Sequence, residues 1–252
     1  MALGAPVFTY HVEGFGPHVP EGSRLFQLTC DPALAAWASA GDAVVTSLKP
    51  GIAELLAGAE PEDRKSPVLR TAPELLSGKP LSDAYVFQQI AALRASNTII
   101  VEEAPSSRPQ MQRHLSIINR DGFYTCASGG LGHGLPAAIG VALGRPSAKV
   151  IALLGDGSAM YAIQGLWTAA QLDLPISFVV LNNGRYEALE QFGQLFGLQK
   201  LEGTKLPGLD FVALARAQGV AGRVVKEAAD LDAALTESFN AGGPTLVEVI
   251  LD

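Results

Sequence analysis

The stretch "LLGDGSAMYAIQGLWTAAQLDLPISFVVLNNGRYEAL", Leu153–Leu189, decides the fold. It holds the last two residues of one apolar run of strand length, Val150–Leu154, and all of a second, Ile176–Leu181. Gly155-Asp156-Gly157 closes the first run and Asn182-Asn183 closes the second, with the 24 residues 158–181 between them. That length suits a loop, a four-turn helix from about Ser158 to Leu172 and a strand. A strand, a crossover helix and a parallel strand form a right-handed unit. Asp156 and Asn182-Asn183 are therefore expected at one sheet edge, the C-terminal edge where open α/β sheets bind ligands.

One carboxylate and one amide oxygen converge there from positions far apart in sequence. Hard oxygen donors suit Mg²⁺ or Ca²⁺, and neither thiolate nor imidazole is at hand for zinc. So few protein ligands point to Mg²⁺ completed by phosphate oxygens and water. Gly155 and Gly157 let the backbone approach a bulky anion, and a helix beginning at Ser158 offers unpaired N–H groups to it. Gly-Asp-Gly alone, or Asn-Asn-Gly alone, is ordinary turn chemistry. Only the pair, set across one strand–helix–strand unit, points to a diphosphate held through a metal.

Working outward, Ser82 is an N-cap candidate for "DAYVFQQIAALRA", followed by strand "NTIIVEE", helix-like "PSSRPQMQRHL", strand "GFYTCAS" and the small-residue segment "GGLGHGLPAAIGVALG". Beyond Asn183 come a glycine-containing loop region, a helix near "DFVALARAQ", a helix "DLDAALTESFNAG" and a strand "PTLVEVILD". Five strand candidates between helices predict a doubly wound parallel α/β domain over 81–252. Residues 59–80, dense in proline and charge, read as a linker. Residues 1–58 show strands "VFTYH", "SRLFQLTCD" and "DAVVTSL", a helix begun by Pro32 and capped by Asp31, and "PGIAELLAGA" as another helix. That is thin for an independent domain. It reads as the latter part of a second α/β domain.

Of 252 residues, 48% are hydrophobic and 17% charged, which allows a substantial core. The net charge of −7 speaks against nucleic acid as a partner. Apolar runs are too short to span a bilayer and the start lacks a signal-peptide pattern, so a cytoplasmic location is expected. Cys30 and Cys126 make neither a disulfide framework nor a metal site and are expected as small buried residues.

These motifs resemble the thiamine-diphosphate (ThDP) dependent 2-oxo acid decarboxylases, most closely the benzoylformate decarboxylase branch. The resemblance rests on Gly155-Asp156-Gly157 with Asn182-Asn183, on "GDGSAMYAIQGLWTAAQLDLP" with "NNGRYEAL", and on "CASGGLGHGLPAAIGVAL", "FTYHVEG" and "LTCDP" in order. It implies that Asp156 and Asn183 bind Mg²⁺ (or Ca²⁺) through side chains and Arg185 through its carbonyl. Gly155, Gly157 and Ser158 then contact the diphosphate. Gly129 matches the carbonyl that accepts from the cofactor's 4'-amino group, and Leu131 the apolar wedge that bends the cofactor. His11 matches a histidine of proton transfer, against the ordinary alternative of a structural histidine. Leu189 and Phe192 match the lining of an aromatic substrate pocket, with core packing as the equal alternative. Tyr186, grouped with the cofactor contacts, and Thr125 are weaker pocket candidates.

Two departures stand out. Pro105 precedes Ser106 where the family often carries two hydroxyls near the diphosphate, and His133 stands where a larger apolar residue is expected, with no role assigned. The resemblance covers a middle-domain remnant and the diphosphate-binding domain. A pyrimidine-binding domain, with the glutamate that activates the cofactor, is expected to be missing, and Glu102 and Glu103 lie on the wrong domain to replace it. The implied whole enzyme is a homo-oligomer, dimer or tetramer, that decarboxylates a small aryl 2-oxo acid without oxidation. An acetolactate-synthase-like lyase or carboligase, or a ThDP-binding fragment without chemistry, are the alternatives.

Overall fold

The structure is a computed structural model, and it describes residues 1–7, 16–38, 40–59, 66, 71, 73–127 and 129–251. The chain divides into two compact units, Met1–Arg70 and Thr71–Asp252. Among the described residues, no helix is long and apolar enough to cross a membrane.

In the first unit, β1 (Ala2–Leu3), β2 (Phe26–Thr29) and β3 (Asp42–Val45) form a parallel sheet in the order β1-β2-β3. Helix α1 (Pro32–Trp37) begins where Asp31 accepts the Ala33 N–H at 2.8 Å, and Pro32 lacks the N–H that a first helical turn leaves unpartnered. Helix α2 (Leu48–Leu56) follows β3. The strand expected at "VFTYH" is not reproduced at Val7, and its remaining residues, His11 among them, lie outside the described residues. Cys30, expected to be buried, is exposed, because it follows the last residue of β2 and enters the turn to α1.

The second unit runs α3 (Asp83–Leu93), β4 (Ile99–Glu103), α4 (Arg108–His114), β5 (Phe123–Thr125), α5 (Gly134–Gly144) and β6 (Val150–Gly155). It continues through α6 (Asp156–Met160), α7 (Gly165–Gln171), β7 (Ile176–Asn182), α8 (Glu187–Leu195), α9 (Phe211–Ala217), β8 (Ala221–Val225), α10 (Ala228–Asn240) and β9 (Thr245–Ile250). Six parallel strands stand in the order β5-β4-β6-β7-β9-β8.

Both faces of this sheet are covered, so its central strands β6 and β7 are near-continuous buried apolar runs rather than alternating. Val150, Ala152 and Leu154 of β6 pack with Leu135, Leu166 and Phe211 of α5, α7 and α9. Ile151 and Leu153 of the same strand pack on the opposite face with Phe87, Met111 and Leu231 of α3, α4 and α10. Each fully buried side chain of this size contributes roughly 1.5–3 kcal/mol. The handedness of parallel crossovers explains the division. Steps toward the β8 edge carry α5, α7 and α9 on one face, and steps the other way carry α4 and α10 on the other. The chain leaves β4 toward β5 but leaves β6 toward β7, which opens a crevice between the C-terminal ends of β4 and β6.

Three sequence expectations change. The helix expected from Ser158 to Leu172 is two short helices. At the start of the second, Gly165, Leu166 and Trp167 take i→i−3 bonds to Ala162, Ile163 and Gln164 in the connecting turn, and Gly165 is a poor helix former. The loop region after Asn183 contains α8. A sixth strand, β8, was not foreseen because it lies at the sheet edge and is exposed at most positions.

Candidate functional site

At the end of β6 the chain turns directly into α6, and Asp156 is buried, 3% exposed. Its Oδ1 accepts the Gly157 N–H at 2.7 Å and its Oδ2 accepts the Arg185 N–H at 3.2 Å. Asn183 Oδ1 accepts that same Arg185 N–H, also at 3.2 Å. The carboxylate of β6 and the amide oxygen after β7 thus meet at one nitrogen, although 27 positions separate them. Burial pushes the Asp156 carboxyl above its usual range, against the N–H groups of Gly157, Gly184, Arg185 and Asn183 that pull it down.

Asn182 does something different from its neighbour. Its Nδ2 donates to Glu248 Oε1 at 2.7 Å, and its Oδ1 accepts the Gly184 N–H at 3.0 Å. It therefore anchors the turn to β9 and leaves Asn183 to face Asp156. The turn is braced again downstream: Tyr186 N–H donates to Thr204 O at 2.7 Å and Leu206 N–H to Gly184 O at 2.8 Å. The Arg185 side chain pairs with Glu187 and Glu190, away from any donor role toward an anion. A cleft of about 530 Å³ opens beside this turn, lined by Asn182–Gly184, Lys205–Leu209 and the end of β9.

Gly157 and Ser158 lie in the first turn of α6, with Ser158 buried. The Tyr186 ring lies so close to Gly157 that a β-carbon at this position would overlap it. Tyr186 also hydrogen-bonds Tyr161, and burial followed by Tyr161 and Asp156 pushes its phenol upward. Tyr161 in turn stands 3.0 Å from where a β-carbon on Gly132 would be. The loops after β5, β6 and β7 are thereby connected through two tyrosines.

The loop after β5 carries Gly129 and Leu131. Gly129 and Gly132 hold φ of +72° and +95°, which suit glycine. Leu131 is half-buried between them. Leu189 and Phe192 lie three apart on α8 and are 52% and 40% exposed, so neither is packed in a core of this chain. Thr125 donates to Glu102 Oε2 at 2.8 Å at the end of β5. Pro105, Ser106 and Ser107 form the turn leading into α4, and His133 is exposed before α5.

The pair of acids ending β4 was not recognised in the sequence as part of this edge. Glu102 is wholly buried and accepts the Ala104 N–H at 2.7 Å, Arg108 Nε at 3.1 Å and the Thr125 hydroxyl. Glu103 reaches the opposite face and accepts three successive amides, Gly132 at 2.6 Å, His133 at 3.1 Å and Gly134 at 2.7 Å. Two adjacent acids closing an otherwise apolar strand were the available signal.

Among the described residues no three His, Cys, Asp or Glu side chains gather to hold a metal. The donors that do converge are one carboxylate, one amide oxygen and a nearby backbone, a set that fits Mg²⁺ or Ca²⁺ carrying non-protein oxygens. A buried Asp156 carboxylate met by backbone N–H groups fits the same reading.

The family model "Thiamine pyrophosphate enzyme, C-terminal TPP binding domain" matches residues 106–249. A benzoylformate decarboxylase of Pseudomonas aeruginosa is 39% identical over 251 residues, 99% of this chain and 48% of that protein. A putative acetolactate synthase large subunit of Mycobacterium tuberculosis is 31% identical, over 92% of this chain and 44% of its own. Among solved structures, a thiamine diphosphate-dependent 4-hydroxybenzoylformate decarboxylase of Rhodococcus jostii RHA1 superposes with a TM-score of 0.91 at 38% identity, covering 100% of this chain and 49% of that one. The chain spans about half the length of these relatives.

Proposed function

Because the chain belongs to the thiamine pyrophosphate enzymes through their C-terminal TPP-binding domain, we propose that its switch-point loops hold thiamine diphosphate through Mg²⁺, with Ca²⁺ as a substitute. The observation that carries the metal reading is the meeting of Asp156 and Asn183 oxygens at the Arg185 N–H. Asp156 and Asn183 side chains and the Arg185 carbonyl hold the cation. Gly155, Gly157 and Ser158 receive the diphosphate, with Tyr186 packed against Gly157. Gly129 and Leu131 address the aminopyrimidine end. When bound, thiamine diphosphate supplies the electron sink that lets CO₂ depart from a 2-oxo acid.

The proposed reaction is nonoxidative decarboxylation of an aryl 2-oxo acid, in which benzoylformate and a proton give benzaldehyde and CO₂. The exposed apolar pair Leu189 and Phe192 suits an aromatic ring, with Thr125 at the opposite loop. His11 is the proposed proton carrier. Turnover needs a pyrimidine-binding domain carrying an activating glutamate, outside these 252 residues, within a cytoplasmic homo-oligomer. By itself the chain binds cofactor without turnover. The similarity to acetolactate synthases keeps a second reading open, a carboligase acting on pyruvate.

Calorimetric titration of ThDP with and without Mg²⁺ tests the binding. The expected result is cation-dependent binding that Asp156→Ala weakens about 100-fold, the scale of damage to a metal site. Binding indifferent to Mg²⁺, or unchanged in Asp156→Ala, sinks the assignment. With the pyrimidine-binding domain present, turnover of pyruvate but not benzoylformate reverses the choice of reaction.

A further inference from the structure

Glu103 ends a central strand, is 3% exposed, and has no part in the chemistry above. We propose that it is a positioning residue that sets the loop 129–133, and through it the seat of the aminopyrimidine ring. The proposal rests on the reading of Gly129 and Leu131 as that seat.

Both carboxylate oxygens are committed to the loop. Oε1 accepts the N–H groups of Gly132 and His133, and Oε2 accepts that of Gly134. These amides belong to the start of α5, where a helix leaves its N–H groups without internal partners and favours a negative charge. The charge is supplied by the protein itself. At the other end of the side chain, Glu103 pairs with Leu154 in the β4–β6 ladder, next to Gly155 and Asp156. One residue therefore ties the loop to the strand that delivers the metal-binding carboxylate.

The fit leaves no freedom in side-chain length. A β-carbon on Gly134 would stand 2.6 Å from Glu103 Cβ, 2.9 Å from Leu154 Cδ2 and 3.0 Å from Glu103 Oε2, so only glycine admits this approach. Two left-handed glycines, 129 and 132, flank Leu131, so the segment has no ladder of its own to fix it. Its downstream end is fixed by Glu103. Glutamine at 103 has the same length but offers one acceptor oxygen, and turns an NH₂ toward a backbone N–H.

Two measurements on the full 252-residue chain test the proposal with Glu103→Gln. Hydrogen exchange of the ligand-free chain should speed at Gly132, His133 and Gly134 about tenfold or more, the scale of a lost charge-assisted bond, while β6 and β7 keep their protection. Titrations should show ThDP affinity falling about 10- to 100-fold with Mg²⁺-pyrophosphate affinity unchanged, because pyrophosphate lacks the ring that the loop seats. Should Glu103→Gln fail to fold, Gly134→Ala pushes the same contact apart from the loop side and must give the same split. Unchanged exchange at the three amides, or equal losses for both ligands, or no loss for ThDP, overturns the proposal. A wild-type chain that binds neither ligand overturns the cofactor reading instead, and the exchange result still decides whether Glu103 holds the loop.

Discussion

Gly134→Ala pits two effects of opposite sign against each other. Helix propensity alone favours alanine over glycine by up to about 1 kcal/mol, and Gly134 lies at the start of α5 with no positive φ to forbid a side chain. Packing opposes it. The new β-carbon would fall about 0.8 Å short of the 3.4 Å at which ordinary contact with Glu103 Cβ begins. Glu103 Cβ is rooted in a buried strand and cannot swing aside, so the start of α5 must retreat. A retreat of that size takes the Gly134 N–H, now 2.7 Å from Oε2, to the limit of hydrogen bonding. Losing one bond to a carboxylate costs about 1.5–3 kcal/mol, and the neighbouring bonds from Gly132 and His133 loosen with it. The expected net effect is destabilisation of the Thr71–Asp252 unit by about 1–3 kcal/mol. Urea titration followed by Trp167 fluorescence, with Trp37 replaced by phenylalanine, reads that unit alone. A neutral or stabilised variant would refute the reasoning, because propensity would then have outweighed the carboxylate contact.

Two further outcomes follow from partly buried polar groups. Lys149 donates to Ala241 O at 2.9 Å, and burial holds its ammonium down to about pH 8. The unfolded chain keeps that proton up to about pH 10.4. Stability from this group therefore rises with pH across the window from about 8 to 10.4. After allowance for solvent screening, wild type should gain about 1–2 kcal/mol on Lys149→Met between those limits, and a difference that stays flat in pH-dependent melts contradicts the assignment. Asn182→Ala removes the donor to buried Glu248 and the acceptor for Gly184, and should cost about 1–3 kcal/mol. Combined with Glu248→Ala it should cost less than the sum, and strict additivity in the double-mutant cycle would mean that the pair does not couple.

What the sequence revealed depended on whether the causal contacts were local. Asp31 before Pro32, and Ser82 before Asp83, announce helix starts through bonds spanning two or three residues, and both form. The runs at β6 and β7 are fully buried parallel strands, so their apolar composition was unambiguous, and it carried Asp156 and Asn183 to the same edge. Strand β8 escaped because an edge position does not require a continuous apolar run. Helix α8 escaped because its apolar residues, Leu189 and Phe192, face outward and fix no core pattern. Glu103 escaped for a different reason: its three partners lie 29 to 31 residues downstream, and no local pattern encodes a carboxylate meeting amides at that separation.

The strand order carries a consequence for how the chain is made. Strand β9 (Thr245–Ile250) is synthesised after β7 and β8, yet it sits between them. Until those residues leave the ribosome, β7 presents an open edge of backbone donors and acceptors, and β8 has no strand to pair with. Asn182 likewise waits for Glu248 before the turn that aims Asn183 can be anchored. Loop closure across some sixty residues must precede that pairing, which makes it a slow step in forming the sheet. A nascent chain halted short of Thr245 would therefore carry both side chains proposed to hold the metal, Asp156 and Asn183, and lack the strand that steadies their turn.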